Sequence, residues 1–307
     1  MRVFFFVIEL ILYKHMQINS WIIYITLALV GLCMGSFAGA STWRLRARQL
    51  VADKLHGEDV DNNEYNKLNK LTKKSISNDH SQCLNCSYKL KWYDLIPLFS
   101  WLLLGGKCRK CRKSIGCFEI IIELGVAAFF IASYVFWPYP FSNIFQISKF
   151  VIWLISGVAL AIAFAYDKKW FILPDVTSYF VIALGLINSI LIITSSHDIA
   201  GSLLSIVGAL LILSGLYFVL YIVSKGEWIG FGDIKLGFGL ALLLSDWKLA
   251  FIALFAANFV GCIIVLPAMI AGKLKRDSHV PFGPLLIVGT FIAALAGNYL
   301  LGLLLLV

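Results

Sequence analysis

Two sets of residues in this chain have types and neighbours suited to chemistry. Asp167 closes an apolar run in Tyr166-Asp167-Lys168-Lys169-Trp170-Phe171-Ile172-Leu173-Pro174-Asp175, and Asp233 opens another in Gly230-Phe231-Gly232-Asp233-Ile234-Lys235-Leu236. A carboxylate beside a membrane-spanning run is expensive and marks a functional site by default. Two of them at one depth can meet. Facing carboxylates resist double ionisation, so one keeps a proton as general acid while the other takes a proton from water as general base. Gly230 and Gly232 remove bulk around Phe231 and let the chain approach a partner or an extended peptide closely. Lys235, two residues beyond Asp233, is placed to bias its ionisation. Simpler readings stay open: Asp175 follows Leu173-Pro174 at a position suited to an N-cap, Asp233 can cap in the same way, and Asp167 can pair with Lys168, Lys169 or Lys235.

The second set is Cys83-Leu-Asn-Cys86 and Cys108-Arg-Lys-Cys111, two CxxC pairs separated by 21 residues. That spacing suits a four-thiolate zinc site, because a two-residue gap lets both sulfurs of a knuckle reach one ion and two knuckles complete a tetrahedron. Flanking Lys and Arg favour the thiolates. Four thiolates leave no open position, so the expected role is structural. A redox pair and unrelated surface cysteines are the alternatives, and stable disulfides do not suit a reducing compartment. Cys33, Cys117 and Cys262 lie in or beside apolar helices and read as packing residues.

The elements that must position these groups are membrane helices. Of 307 residues, 60% are hydrophobic and 14% charged, with a mean hydropathy of +0.85, which excludes a water-soluble domain. A span takes about 20 mainly apolar residues in a helix. The sequence predicts spans at Trp21 to Phe37, Phe118 to Trp137, Ile147 to Tyr166, Val176 to Thr194 and Leu203 to Val223, a short one near Ile234 to Leu244, then Leu249 to Ile270 and Leu285 to Val307. The fold class is therefore all-α, a polytopic membrane protein of about eight transmembrane helices with a four-cysteine zinc-binding loop. Val3 to Tyr13 is apolar but too short to span and contains Glu9; it reads as a signal-like or interfacial segment, with Met16 as an alternative start.

Positive charge sets the orientation. Residues 44–113 hold 15 of the 26 Lys and Arg residues, so that loop is expected in the cytoplasm, together with Lys168, Lys169, Lys225 and the Lys273, Lys275, Arg276 cluster. The turns from Trp137 to Asn143 and from Ser195 to Ala200 carry no Lys or Arg and fall outside. Topology and anionic lipid account for the net charge of +9 without a nucleic acid partner. Arg44 to Lys74 reads as a solvated or partly disordered linker. Asp198, Asp246 and Asp277 read as solvated surface. The expected organisation is 1–43, an N-terminal segment and first span; 44–113, the loop with the zinc site; and 114–307, the multi-helix membrane core.

These blocks together resemble the type IV prepilin peptidase family. The match runs through Gly35-Ser36-Phe37 to Trp43-Arg44-Leu45, the Cys83 and Cys86 knuckle, Trp92-Tyr93-Asp94-Leu95-Ile96-Pro97-Leu98-Phe99-Ser100-Trp101, Gly106-Lys107-Cys108-Arg109-Lys110-Cys111, Glu123, both aspartate blocks, and Val280-Pro281-Phe282-Gly283-Pro284. The resemblance implies Asp167 and Asp233 as catalytic aspartates and Cys83, Cys86, Cys108 and Cys111 as the metal-binding tetrad. It implies a multi-pass protein of the bacterial inner membrane with its active site facing the cytoplasm, and prepilin or pseudopilin substrates whose leader peptide is cleaved. It also implies S-adenosylmethionine as cofactor where the new N-terminus is methylated. Leu84 stands where the family usually has Pro, Gly116-Cys117-Phe118-Glu119-Ile120 replaces its customary Ser-x-Arg-Tyr-Pro, and the insert from Ala47 to His80 is atypical. A non-enzymatic zinc-ribbon scaffold and an ion-coupled transporter using the two aspartates as a relay are the rival functions.

Overall fold

The computed structural model describes residues 20–72, 80–273 and 280–304. The Val3 to Tyr13 segment, Glu9, Met16, Lys73, Lys74, Lys275, Arg276 and Asp277 lie outside them. The described residues form helices without a named strand, and seven helices are long and apolar enough to cross a membrane. The chain divides into two compact units, one ending at Trp137 and the other beginning at Pro138.

In the first unit, α1 (Ser20–Leu55) packs against α4 (Phe118–Phe136). Gly31 and Gly35 permit this: a Cβ on Gly31 would lie 2.6 Å from the Ala127 Cα, and one on Gly35 would lie 2.5 Å from the Glu123 Cα. Small residues four apart let two backbones approach where lipid offers no hydrophobic drive.

Helix α1 does not stop at the expected end of the first span. Its 36 residues run about 54 Å at 1.5 Å per residue, so Arg44 to Leu55, expected as linker, is helix. Arg, Leu, Ala, Gln and Lys there are strong helix formers. A short helix, α2 (Asn62–Leu68), begins at Asp61, whose carboxylate accepts from the Asn63 N–H. It folds back so that Ala47, Leu50 and Leu68 make a small buried core flanked by Trp43, Val60, Tyr65, Leu71 and Leu84. Arg46 pairs with Glu64 at 2.7 Å, and the Lys54 ammonium lies 3.9 Å from the Tyr65 ring centre. The linker reading is thus corrected for residues 44–72. Its apolar signal was three residues diluted in charge.

The second unit contains α5 (Ile144–Trp170), α6 (Asp175–Ser195), α7 (Ile199–Leu210), a π-helical turn (Leu211–Gly215), α8 (Leu216–Ser224), α9 (Phe231–Leu244), α10 (Trp247–Ile270) and α11 (Gly283–Leu304). Three starts are capped by side chains: Asn143 accepts from Gln146 N–H, Asp198 from Gly201 N–H, and Asp246 from Lys248 and Leu249 N–H. Asp198, expected as solvated surface, is exposed and also a cap, and Asp246, expected likewise, is a half-buried cap.

Helix α9 sits in the centre of the core, with Ile234, Leu236 and Leu240 through Leu244 buried. At 14 residues it is about 21 Å long, short of the roughly 30 Å of hydrocarbon. The sixth predicted span, near Ile234 to Leu244, is thus a helix about two-thirds the length a span requires, packed within the core. Its end needs internal partners, because carbonyls left open in an apolar setting are costly. Asn188 Nδ2 donates to the Leu243 carbonyl at 2.9 Å, Ser189 Oγ to that of Leu242 at 3.1 Å, and Ser245 N–H to that of Ala241 at 2.8 Å.

Candidate active site and cysteine cluster

Asp167 lies in the last turn of α5. Phe171, in the left-handed conformation at φ 57°, ends the helix and donates its N–H to the Asp167 carbonyl at 2.8 Å. The Asp167 side chain is buried and meets the start of α11. A Cβ on Gly283 would lie 2.7 Å from Asp167 Oδ2 and 3.0 Å from Leu173 Cδ2, so glycine is what lets the first turn of α11 bring its backbone N–H to the carboxylate. Asp233 occupies the third position of α9, and its carboxylate turns back toward the Gly230 N–H. Asp233 therefore lies at the N-terminus of its own helix, and the Asp167 carboxylate, though carried by the last turn of α5, faces the N-terminus of α11, where the peptide dipoles favour negative charge.

The two carboxylates are close enough for the charge of Asp167 to act on Asp233. Leu173 packs between their supports, since a Cβ on Gly232 would lie 3.1 Å from Leu173 Cβ. Gly230, Gly232, Asp233, Asp167 and Gly283 are thus gathered at one place.

Asp175 and Lys235 form a separate pair. Asp175 is the first residue of α6, whose N-cap is Pro174, and its carboxylate is bonded to the Lys235 ammonium rather than to backbone N–H groups. The capping reading of Asp175 is corrected accordingly. Lys235 also lies over the rings of Tyr179 and Phe231, at 5.6 and 5.3 Å.

Tyr217 was missed from sequence. It lies in α8, only 3% exposed, with its ring 5.2 Å edge-on to Phe282. Its buried hydroxyl approaches the Asn258 side chain without a hydrogen bond of ordinary geometry and lies within electrostatic reach of Asp233. A tyrosine inside an apolar span carries no motif; only the preceding π-helical turn, a feature frequent at functional sites, marks the place.

In the first unit the four cysteines converge. Cys83 Sγ lies 3.9 Å from Cys111 Sγ and Cys86 Sγ 3.9 Å from Cys108 Sγ, with all four within 4.8 Å of one another. The two knuckles repeat one geometry. Cys83 N–H donates to Tyr88 O and Ser87 N–H to Cys83 O; Cys108 N–H donates to Lys113 O and Arg112 N–H to Cys108 O. Ser87 and Arg112, each four residues after the first cysteine, are both left-handed, at φ 55° and 58°. Burial pushes the Cys83 thiol up to about 11. Burial also opposes the Cys108 thiolate, but the Cys111 and Lys110 backbone N–H groups and neighbouring thiols outweigh it and bring that thiol down to about 7. Such a group can hold a metal ion. Cys33, Cys117 and Cys262 are exposed on the protein surface rather than packed, which corrects that reading.

Comparison with known proteins follows the same division. Residues 29–137 match the Bacterial Peptidase A24 N-terminal domain, and residues 153–266 match the Type IV leader peptidase family. The chain is 29% identical over 222 residues to the Prepilin leader peptidase/N-methyltransferase of Stutzerimonas stutzeri, covering 71% of this chain and 72% of that protein. It is 28% identical over 266 residues to the Type 4 prepilin-like proteins leader peptide-processing enzyme of Escherichia coli, covering 84% and 88%. With the Prepilin leader peptidase/N-methyltransferase of Vibrio cholerae it shares 25% identity over 283 residues, covering 89% and 96%. No solved structure matches the chain. The first matched segment takes in all four cysteines, the second takes in both aspartates, and the chain belongs to the type IV leader peptidase family.

Proposed function

We propose that this multi-pass membrane protein is an aspartic endopeptidase that removes the leader peptide of type IV prepilins or pseudopilins, with Asp167 and Asp233 as its catalytic pair. The observation that carries this reading is the approach of two carboxylates from distant parts of the chain, Asp233 in the first turn of α9 and Asp167 against the first turn of α11, to places that share Leu173 as neighbour, inside the segment matched to the family.

With one carboxyl protonated and the other ionised, the ionised group takes a proton from water as the water oxygen attacks the scissile carbonyl carbon. The protonated partner gives its proton to the carbonyl oxygen. Collapse of the tetrahedral intermediate breaks the C–N bond and returns a proton to the leaving amine. Gly230, Gly232 and Gly283 keep side chains out of the space around the pair. Lys235 and Asp175 support the start of α9 from α6 as an ion pair.

The basic residues of the 44–113 loop support a cytoplasmic site at the inner membrane. The cysteine cluster suits zinc: a tetrahedron with Zn–S bonds of 2.3 Å has edges of about 3.8 Å, against 3.9 Å for the Cys83–Cys111 and Cys86–Cys108 sulfur pairs and at most 4.8 Å for any pair. Zinc there would be structural, tying the two knuckles together. N-methylation, carried in the relatives' names, would need S-adenosylmethionine as methyl donor to the new N-terminus. A scaffold role leaves the meeting of the aspartates unexplained, and a relay needs acids along a path through the midplane rather than at one place.

The deciding experiment is cleavage of a purified prepilin by the purified protein in detergent. Wild type cleaves, whereas Asp167→Asn and Asp233→Asn insert and accumulate normally but do not, since an amide neither accepts the water proton nor shares the dyad proton. Full activity in either variant refutes the assignment.

A further inference from the structure

Besides the cysteine cluster, the loop of the first unit contains an exposed apolar segment. Residues 92–104 read Trp-Tyr-Asp-Leu-Ile-Pro-Leu-Phe-Ser-Trp-Leu-Leu-Leu, folded as a 3₁₀ turn (Trp92–Leu95) and a one-turn helix, α3 (Phe99–Leu103). The segment turns its large apolar side chains outward: Trp92 is 76% exposed, Phe99 60%, Leu102 59% and Leu103 84%, with Leu95 and Ile96 also exposed. So dense an exposed apolar patch on so short a segment marks an interaction surface.

The depth of the segment is fixed by hydrogen bonds. Leu98 N–H donates to Glu123 Oε2 at 2.8 Å. Glu123 is buried in α4, five residues inside its start at Phe118, or about 7.5 Å along the helix axis. The Pro97–Leu98 turn is therefore level with the second turn of a spanning helix. From the other side, Trp101 Nε1 donates to the Gly116 carbonyl at 2.9 Å, and its ring lies against Gly106. Trp101 thus holds the back of the segment while Phe99, Leu102 and Leu103 face away.

The rim is cationic. Lys91, Lys107, Arg109, Lys110, Arg112 and Lys113 are exposed, and the only acid between Trp92 and Cys117 is Asp94, which is buried and bonded to Arg109 at 2.8 Å. Lys91 and Arg109 both lie over the Tyr93 ring, at 5.7 and 5.0 Å. An apolar face with aromatic residues and a wholly basic border, held level with a spanning helix, has the chemistry of an interfacial membrane element.

We propose that residues 92–104 form a wedge inserted at the headgroup–acyl boundary of an anionic bilayer beside α4, with Trp92, Phe99, Leu102 and Leu103 in the acyl region and the basic rim on lipid phosphates. The metal cluster is thereby clamped against the membrane surface. This inference rests on the spanning helices and is independent of the peptidase reading.

Photo-crosslinking of the full chain in nanodiscs tests it. Benzoylphenylalanine is placed at Leu103, or at exposed Glu58 as control, in equal parts of phosphatidylcholine and phosphatidylglycerol, and adducts are identified by mass spectrometry. Lipid adducts form at Leu103 and not at Glu58, enriched at least about twofold in phosphatidylglycerol, because each basic residue near the surface favours anionic lipid. Combining Lys107→Gln, Lys110→Gln, Arg112→Gln and Lys113→Gln abolishes the enrichment while lipid adducts persist. Adducts only to protein, pointing to a second copy or another segment as the occupant, overturn the proposal, as does a Leu103 yield no higher than that at Glu58. Lipid adducts without anionic enrichment overturn the role of the rim.

Discussion

The ammonium of Lys235 is bonded to the carboxylate of Asp175, from the next helix in the core, rather than to the carboxylate two residues before it on its own helix. Helix geometry dictates this. Positions i and i+2 do not face each other on a helix, so Lys235 and Asp233 leave α9 on different sides. The charge that acts on Asp233 is that of Asp167. Sequence proximity suggested a lysine tuning the acid, and the fold uses the lysine to fasten α9 to α6.

The pair therefore contributes to position rather than to chemistry. The Asp175 side chain is 57% exposed, and exposed ion pairs contribute about 0–1 kcal/mol. Lys235→Met and Asp175→Asn each lower the melting temperature slightly and leave most of the cleavage rate, and the double variant is no worse than the more damaging single one. Steady-state kinetics and thermal unfolding of the three variants check this. A loss in Lys235→Met as complete as in Asp233→Asn would return the lysine to the reaction.

Tyr217→Phe is expected to separate stability from activity. Among the described residues the buried hydroxyl meets the Asn258 side chain but makes no hydrogen bond of good geometry, and a buried donor left poorly satisfied costs up to about 1–3 kcal/mol. Phe keeps the ring against Phe282 and removes that cost, so the melting temperature rises. The same hydroxyl, within reach of Asp233, is available to the reacting groups when substrate binds. A hydrogen bond to a charged group contributes about 1.5–3 kcal/mol, so kcat falls by about tenfold or more while KM changes little. A variant as active as wild type shows that the hydroxyl takes no part.

At Gly283 the constraint is steric. An added Cβ lies 2.7 Å from Asp167 Oδ2 and 3.0 Å from Leu173 Cδ2, contacts that force the carboxylate or the start of α11 to move. Gly283→Ala therefore loses cleavage by at least about a hundredfold, since misplacement on the order of 1 Å costs that much, with expression and helix content unchanged. Gly302→Ala, which adds a Cβ in open space, is the control and remains active.

How much of this was readable beforehand depends on where each signal resides. The spans announce themselves by length and apolarity, and the aspartates and cysteines by types rare in their surroundings. The depth of α9 was not readable, because the apolar run from Leu236 to Leu244 looks alike whether it spans lipid or ends inside protein on Asn188 and Ser189. The α1–α2 core was hidden for the opposite reason, as Ala47, Leu50 and Leu68 are sparse among charges. That core also connects two departures from the family pattern. Leu84, between the cysteines of the first knuckle, packs on the core that the atypical insert builds. An apolar residue at this position therefore has a partner that a shorter loop would not supply.

The last prediction concerns the cluster that Leu84 ties to that core. The purified protein contains about one zinc per chain, as expected for a single four-thiolate site, measured by native mass spectrometry under reducing, chelator-free conditions. Combining Cys83→Ser with Cys108→Ser takes one thiolate from each knuckle and removes the metal. Binding to structural zinc is folding free energy for the segment that holds it, so the loss is read most directly in that segment. Limited trypsin digestion then cuts the variant after Lys89, Lys107, Lys110 or Lys113, sites that zinc-loaded wild type protects, while the spanning helices stay intact. Leu84→Ala is milder. It loosens the contact with the α1–α2 core but leaves all four sulfurs, so zinc is retained and cutting rises only near residue 89. If wild type prepared without chelator carries no zinc, the four-thiolate assignment fails; if the double cysteine variant resists trypsin as wild type does, the knuckles are held together by something other than the metal.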